Sequence, residues 1–202
     1  MKITAIKTYL MHATPPETGG WSARNWLFVK VETDEGIYGI GEASGWPRVV
    51  ETAIHDLTPL MLGEDPFNIE RLWSKMQVAI MSHGMTGIVG GGAMTGIEMA
   101  LWDIKGKALG QPVWNLLGGK MRDTVRIYAH AHEKERAREL VDRGYNAIKT
   151  GGIKNCVESV EAIRKEVGPE IDLMVDVHGP PWLTTRDAIA LGRALEDYDL
   201  LF

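Results

Sequence analysis

Leu173-Met174-Val175-Asp176-Val177-His178-Gly179 is an apolar, β-branched run that ends on a carboxylate and an imidazole, just ahead of a Gly179-Pro180-Pro181 turn. Side chains alternate along a strand, so Asp176 and His178 share one face with Met174 beneath them. A strand buried on both faces gains nothing from a carboxylate at its end. The placement suits a metal ligand beside a proton donor at the mouth of a parallel barrel. It equally suits an Asp that opens a loop and a His that caps it, and both readings stand at this level.

The flanking sequence repeats one grammar. A strand is expected over residues 125–131, then a helix over 133–142 closed by Gly144. A second strand over 146–150 and a helix over 157–167 closed by Gly168 come next, leading into the Asp176 strand. Thr184 with Asp187 forms a capping box for a helix running to about residue 197, and Leu200-Leu201-Phe202 opens another strand. Such alternation gives right-handed parallel β/α units. Three units and a fragment of a fourth do not close an eight-stranded barrel, which takes about 250 residues. The expectation is therefore a stretch of a longer polypeptide, or a chain whose partner supplies the rest. A small open α/β sheet ranks third.

Upstream of residue 119 the pattern differs. Strands are expected over 3–11 and 26–32, and the turn Asp34-Glu35-Gly36 leads into a third over 37–42. A turn-rich loop, Thr14 to Gly20, precedes Trp21 and Arg24. Helices follow over 49–62 and 68–82, then a glycine-dense stretch, 84–92, expected to be a mobile loop. A helix over 93–109 stops at Gly110 and Pro112. The fold class is α/β and α+β: an α+β domain with linker over 1–119, and a partial β/α barrel over 120–202.

Net charge is −5 and the cations are scattered, which argues against a nucleic-acid partner. The first residues alternate like a strand and carry no long apolar core, so neither a signal peptide nor a membrane span is expected there. Cys156 is the single cysteine, which excludes an internal disulfide and points to a reducing, cytoplasmic setting. Gly90-Gly91-Gly92 lacks the Gly-Lys-Ser/Thr ending of a phosphate-binding loop.

The run Ala100-Leu101-Trp102-Asp103-Ile104-Lys105-Gly106-Lys107-Ala108-Leu109-Gly110-Gln111-Pro112, continued by Leu116-Leu117-Gly118-Gly119, resembles the enolase superfamily. Within it the chain is most similar to the mandelate racemase and galactonate dehydratase-like branch, over nearly its whole length. That run looks like the junction between capping domain and modified TIM barrel, so Asp103, Lys105 and Lys107 are expected to serve packing and surface pairing. The resemblance implies Mg2+, a base that removes the proton α to a carboxylate, and a metal-stabilised enediolate.

In the same resemblance Asp176 matches the first of three carboxylate ligands, the others being expected beyond Phe202. His178 matches the general acid that protonates a departing β-hydroxyl. Lys149 matches the first lysine of the racemases' Lys-x-Lys, and Gly151 stands where the second would be, which disfavours a two-base racemase. Lys149 then serves to hold a substrate carboxylate or to tune a neighbour, and the base is expected on a later strand. Tyr128 and His130 are expected to line the site, with His132 further into its loop. Trp21 and Arg24 are expected to bind substrate from a specificity loop. The implied activity is an acid-sugar (aldonate-type) dehydratase yielding a 2-keto-3-deoxy acid, acting on a small-molecule acid sugar and forming a homo-oligomer when full length. The alternatives are a racemase or cycloisomerase of the same superfamily, or a non-catalytic fragment or half-barrel subunit.

Overall fold

A computed structural model describes residues 1–12, 25–82, 84 and 87–202. The chain divides into two compact units, Met1–Met121 and Arg122–Phe202.

In the first unit β1 (Ile3–His12), β2 (Asn25–Thr33) and β3 (Tyr38–Ala43) form an antiparallel sheet in sequence order. Alternation places Leu27, Val29 and Val31 of β2 on the buried face. Helices α1 (Pro47–Met61), α2 (Ile69–Ser82) and α3 (Ile88–Leu109) share one core with that face, built on Ile54, Leu72, Met76, Ile97 and Leu101. A short α4 (Val113–Leu116), which the sequence reading missed, follows the αL glycine stop at Gly110.

The glycine-dense stretch is a correction to the expected loop: Gly87 caps α3, and Gly90, Gly91 and Gly92 lie inside its first turns. Gly92 serves a close contact with the strand end. A Cβ at Gly92 would lie 2.2 Å from the Ser44 carbonyl oxygen. One at Gly41 of β3 would lie 2.0 Å from the Gly96 carbonyl oxygen. Helix and sheet therefore meet backbone to backbone, which only glycine permits. Two side chains of α3 then satisfy the edge of β3. Asp103 accepts from the Ile40 N–H (2.9 Å), and Lys107 donates to the Tyr38 carbonyl (2.8 Å) and to Asp103 (2.6 Å).

In the second unit β4 (Ala129–His130), β5 (Ala147–Gly151) and β6 (Asp172–Asp176) form a parallel sheet in that order. The helices α5 (Lys134–Asp142), α6 (Cys156–Val167) and α7 (Thr185–Leu195) alternate with the strands, and α7 carries the Thr184–Asp187 capping box. Ile148 and Leu173 turn toward the helices and join Ala137, Leu140, Val160 and Ile163 in the core. Leu201 donates to the Leu173 carbonyl and Val175 to that of Phe202 (both 2.9 Å), so residues 200–202 lie parallel to β6.

The first barrel strand is shorter than the expected 125–131, a second correction. Only Ala129 and His130 pair with β5. Ahead of them a side chain replaces the ladder: Arg126 bonds the Asn146 side chain and carbonyl and pairs with Asp172. Arg164 acts similarly on α6, donating to the carbonyls of Gly168, Ile171, Tyr198 and Asp199. No helix among the described residues is long and apolar enough to cross a membrane.

Candidate active site

Register decides which side chains meet. In the parallel ladder His130 pairs with Lys149, Lys149 with Met174, and Gly151 with Asp176. Paired residues of neighbouring strands point to the same side. Tyr128, His130, Lys149, Gly151, Met174 and Asp176 therefore share the face opposite the helix-facing core. The carboxylate sits at the C-terminal end of β6, where barrel folds carry their chemistry.

The Asp176 carboxylate is shared by two partners. Its Oδ2 accepts from Lys149 Nζ at 3.0 Å, and its Oδ1 lies 2.8 Å from His178 Nδ1. His178 is 82% exposed, Asp176 35% and Lys149 only 15%, so the imidazole projects outward from a more enclosed ion pair. A carboxylate accepts only, so the imidazole donates from Nδ1 and turns Nε2 to the open side. The His178 bond, and then the Lys149 bond, hold the Asp176 carboxyl below the usual carboxylate range. Lys149 is raised above the ordinary lysine value, first by Asp176, with Tyr128 adding a smaller contribution.

Lys149 Nζ also lies 5.3 Å from the centroid of the Tyr128 ring, within cation–π reach, and the Tyr128 and His130 rings are 5.6 Å apart. His132 is exposed in the loop after β4. A Cβ at Gly151 would come within 2.9 Å of the Asp176 carbonyl oxygen, so a larger residue there presses directly on the strand end that bears the carboxylate. Trp21 and Arg24 lie outside the described residues. A separate hollow of about 380 Å³, lined by Val175, Val177, Leu183, Leu191, Leu195 and Phe202, opens on the other side of β6 and holds none of these polar groups.

Magnesium prefers carboxylate oxygens and near-octahedral coordination. Asp176 fits as one hard ligand at a strand end. Among the described residues, however, no group of three or more His, Cys, Asp or Glu side chains could hold a metal ion. Strand parity exposed the shared face in the sequence, but the Lys149–Asp176–His178 chain of bonds depends on register between β5 and β6, which no local pattern encodes.

The sequence profile of "Mandelate racemase / muconate lactonizing enzyme, N-terminal domain" matches residues 5–118, and that of "Enolase C-terminal domain-like" matches residues 132–202. A D-galactonate dehydratase of Verminephrobacter eiseniae is 37% identical over 199 residues, covering 89% of this chain and 49% of that protein. The crystal structure of the 3,6-anhydro-D-galactonate cycloisomerase from Zobellia galactanivorans superposes with a TM-score of 0.87 at 32% identity. That match covers 99% of this chain and 57% of the cycloisomerase chain. The chain spans about half the length of the curated relative it matches.

Proposed function

Because the chain belongs to the mandelate racemase / muconate lactonizing enzyme family, we propose that it carries the acid side of an acid-sugar dehydratase site. The substrate is an aldonate-type acid sugar, and loss of the proton α to its carboxylate and of the β-hydroxyl gives a 2-keto-3-deoxy acid. One observation carries this reading: a carboxylate bonded to an imidazole and a lysine on one sheet face, at the catalytic end of parallel strands.

The geometry supports the following roles. Hydroxide is a poor leaving group, so its departure needs a proton. His178, fixed through Nδ1 by Asp176, presents Nε2–H to the β-hydroxyl when the ring is protonated. Lys149 supplies fixed positive charge beside the face on which the substrate carboxylate binds, and Tyr128 and His130 border that face. Asp176 would contribute one oxygen to Mg2+, which when bound would offset the negative charge that proton abstraction creates. Among the described residues no group of three such ligands forms, so the 202-residue chain alone is expected not to turn over. Gly151 leaves no lysine amine to serve as a second base, which favours elimination over two-base racemisation.

The 37% identity to a D-galactonate dehydratase supports the dehydratase reading. The likeness to the Zobellia cycloisomerase favours an isomerase as the second reading. Product mass separates them, since dehydration yields a product lighter by one water and isomerisation does not. The test is an aldonate panel incubated with Mg2+ and the product of the complete coding region. Keto-acid formation that disappears in His178→Asn supports the proposal, and undiminished formation in that variant contradicts it.

A further inference from the structure

We propose that the free edge of β1 is a pairing surface for a second copy of this chain, the two β1 strands running antiparallel about a two-fold axis at Thr8. The proposal is independent of the dehydratase reading.

The two edges of the first sheet are finished differently. At β3 the outward main-chain groups are those of Tyr38 and Ile40, and Lys107 and Asp103 satisfy them. Bonding direction alternates along a strand, so this fixes the parity of the whole sheet. Gly39 and Gly41 of β3 bond Val31 and Val29 of β2, while Lys30 and Phe28 of β2 turn to Lys7 and Tyr9 of β1. The N–H and C=O groups of Ile6, Thr8 and Leu10 are left on the outer edge of β1. Among the described residues only Ile3, ahead of the strand's irregularity, uses that edge, bonding Gly63 and Glu64. A row of open main-chain groups is a template for another strand.

A second copy fits because the segment is self-complementary about Thr8. Thr8 meets its own counterpart and Ile6 meets Leu10 of the other copy, which closes about six main-chain bonds. Ile6 and Leu10 both belong to the core side of β1, so apolar meets apolar. Lys7 is the single charge between residues 3 and 11. It falls opposite the exposed Tyr9 ring, which attracts a cation, so no like charges meet. A lysine at an edge ordinarily discourages pairing, but this ammonium is drawn toward β2 by Glu32 at 2.8 Å. Tyr9 and Met11, 47% and 53% exposed, extend the join over the open face of the sheet.

The test is sedimentation velocity over a concentration series, on the 202-residue chain and on the product of the complete coding region, with folding checked by circular dichroism. Both parents are expected to form dimers. Tyr9→Lys sets two lysines opposite each other on either side of the axis and is expected to weaken the dimer about tenfold. Tyr9→Glu alters the same exposed position but faces Lys7 of the other copy, and is expected to dimerise at least as well as the parent. Thr8→Pro removes an outward N–H without touching the bonds to β2 and is expected to abolish the dimer. A monomeric 202-residue chain overturns the proposal. So does a dimer that Tyr9→Lys and Tyr9→Glu affect alike, or one that Thr8→Pro leaves intact. A complete product that stays monomeric while the 202-residue chain pairs also overturns it, because the edge is then covered within one polypeptide.

Discussion

Each unit contains an Asp–Lys pair beside a sheet, and the two are spent differently. Asp103–Lys107, 2.6 Å apart on α3, uses its remaining hydrogen-bonding capacity on the backbone of β3, at Ile40 and Tyr38. Asp176–Lys149, 3.0 Å apart across β5 and β6, spends its capacity on another titratable side chain and an aromatic ring. A charged pair that closes main-chain bonds at a sheet edge blocks unwanted strand pairing and fixes packing. A pair that bonds no main chain, at the C-terminal end of parallel strands, is available for chemistry. The sequence reading ranks the two the same way, although the Asp103 run is the more recognisable motif.

Perturbing each pair sharpens the contrast. The largest effect is expected from His178→Asn in the product of the complete coding region, where kcat should fall by about 10²–10⁴ with the melting temperature unchanged. A variant that retains turnover would move His178 back to a loop cap. Next is Gly41→Ala in the first unit, whose Cβ would meet the Gly96 carbonyl at 2.0 Å. Urea unfolding should show a loss of about 3 kcal/mol, and an unchanged stability would contradict the close approach of α3 to β3.

The third contrast is direct. Asp103→Ala should cost about 1 kcal/mol because the Ile40 N–H and Lys107 lose their partner. Asp176→Ala should leave the melting temperature nearly unaltered. Equal losses would erase the distinction between the pairs.

The smallest effect concerns Glu64, which Lys75 holds below the usual glutamate range through a 2.8 Å bond. A carboxyl depressed on folding stabilises the native state above its unfolded value, and that contribution fades as pH falls through the folded one. The melting difference between the parent and Glu64→Gln should therefore be present at neutral pH and vanish in acid. A difference that persists in acid would assign it to packing.

Much of this was legible in the sequence. The two strand grammars, the capping box at Thr184 and the αL stop at Gly110 follow from short-range rules of periodicity and capping. The placement of Asp176 on one face with Lys149 follows from parity once parallel pairing is assumed. What failed did so because a tertiary contact overrode a local one. Gly90, Gly91 and Gly92 read as flexible, yet all three lie in α3, where Gly92 meets the Ser44 carbonyl. Residues 125–128 read as strand until Arg126 is seen bonding Asn146 and Asp172. The bond between Asp176 and His178 was hidden for another reason: shared parity gives a common face, not a distance.

That bond is where the account can be tested most directly, by long-range proton–nitrogen NMR of the His178 imidazole in the 202-residue chain. The neutral ring should carry its hydrogen on Nδ1 in the parent, held by Asp176 Oδ1, and should revert in Asp176→Asn to the Nε2–H form that free histidine favours. An Nε2–H ring in the parent, indistinguishable from that variant, would contradict the claim that Asp176 aims His178 for proton transfer.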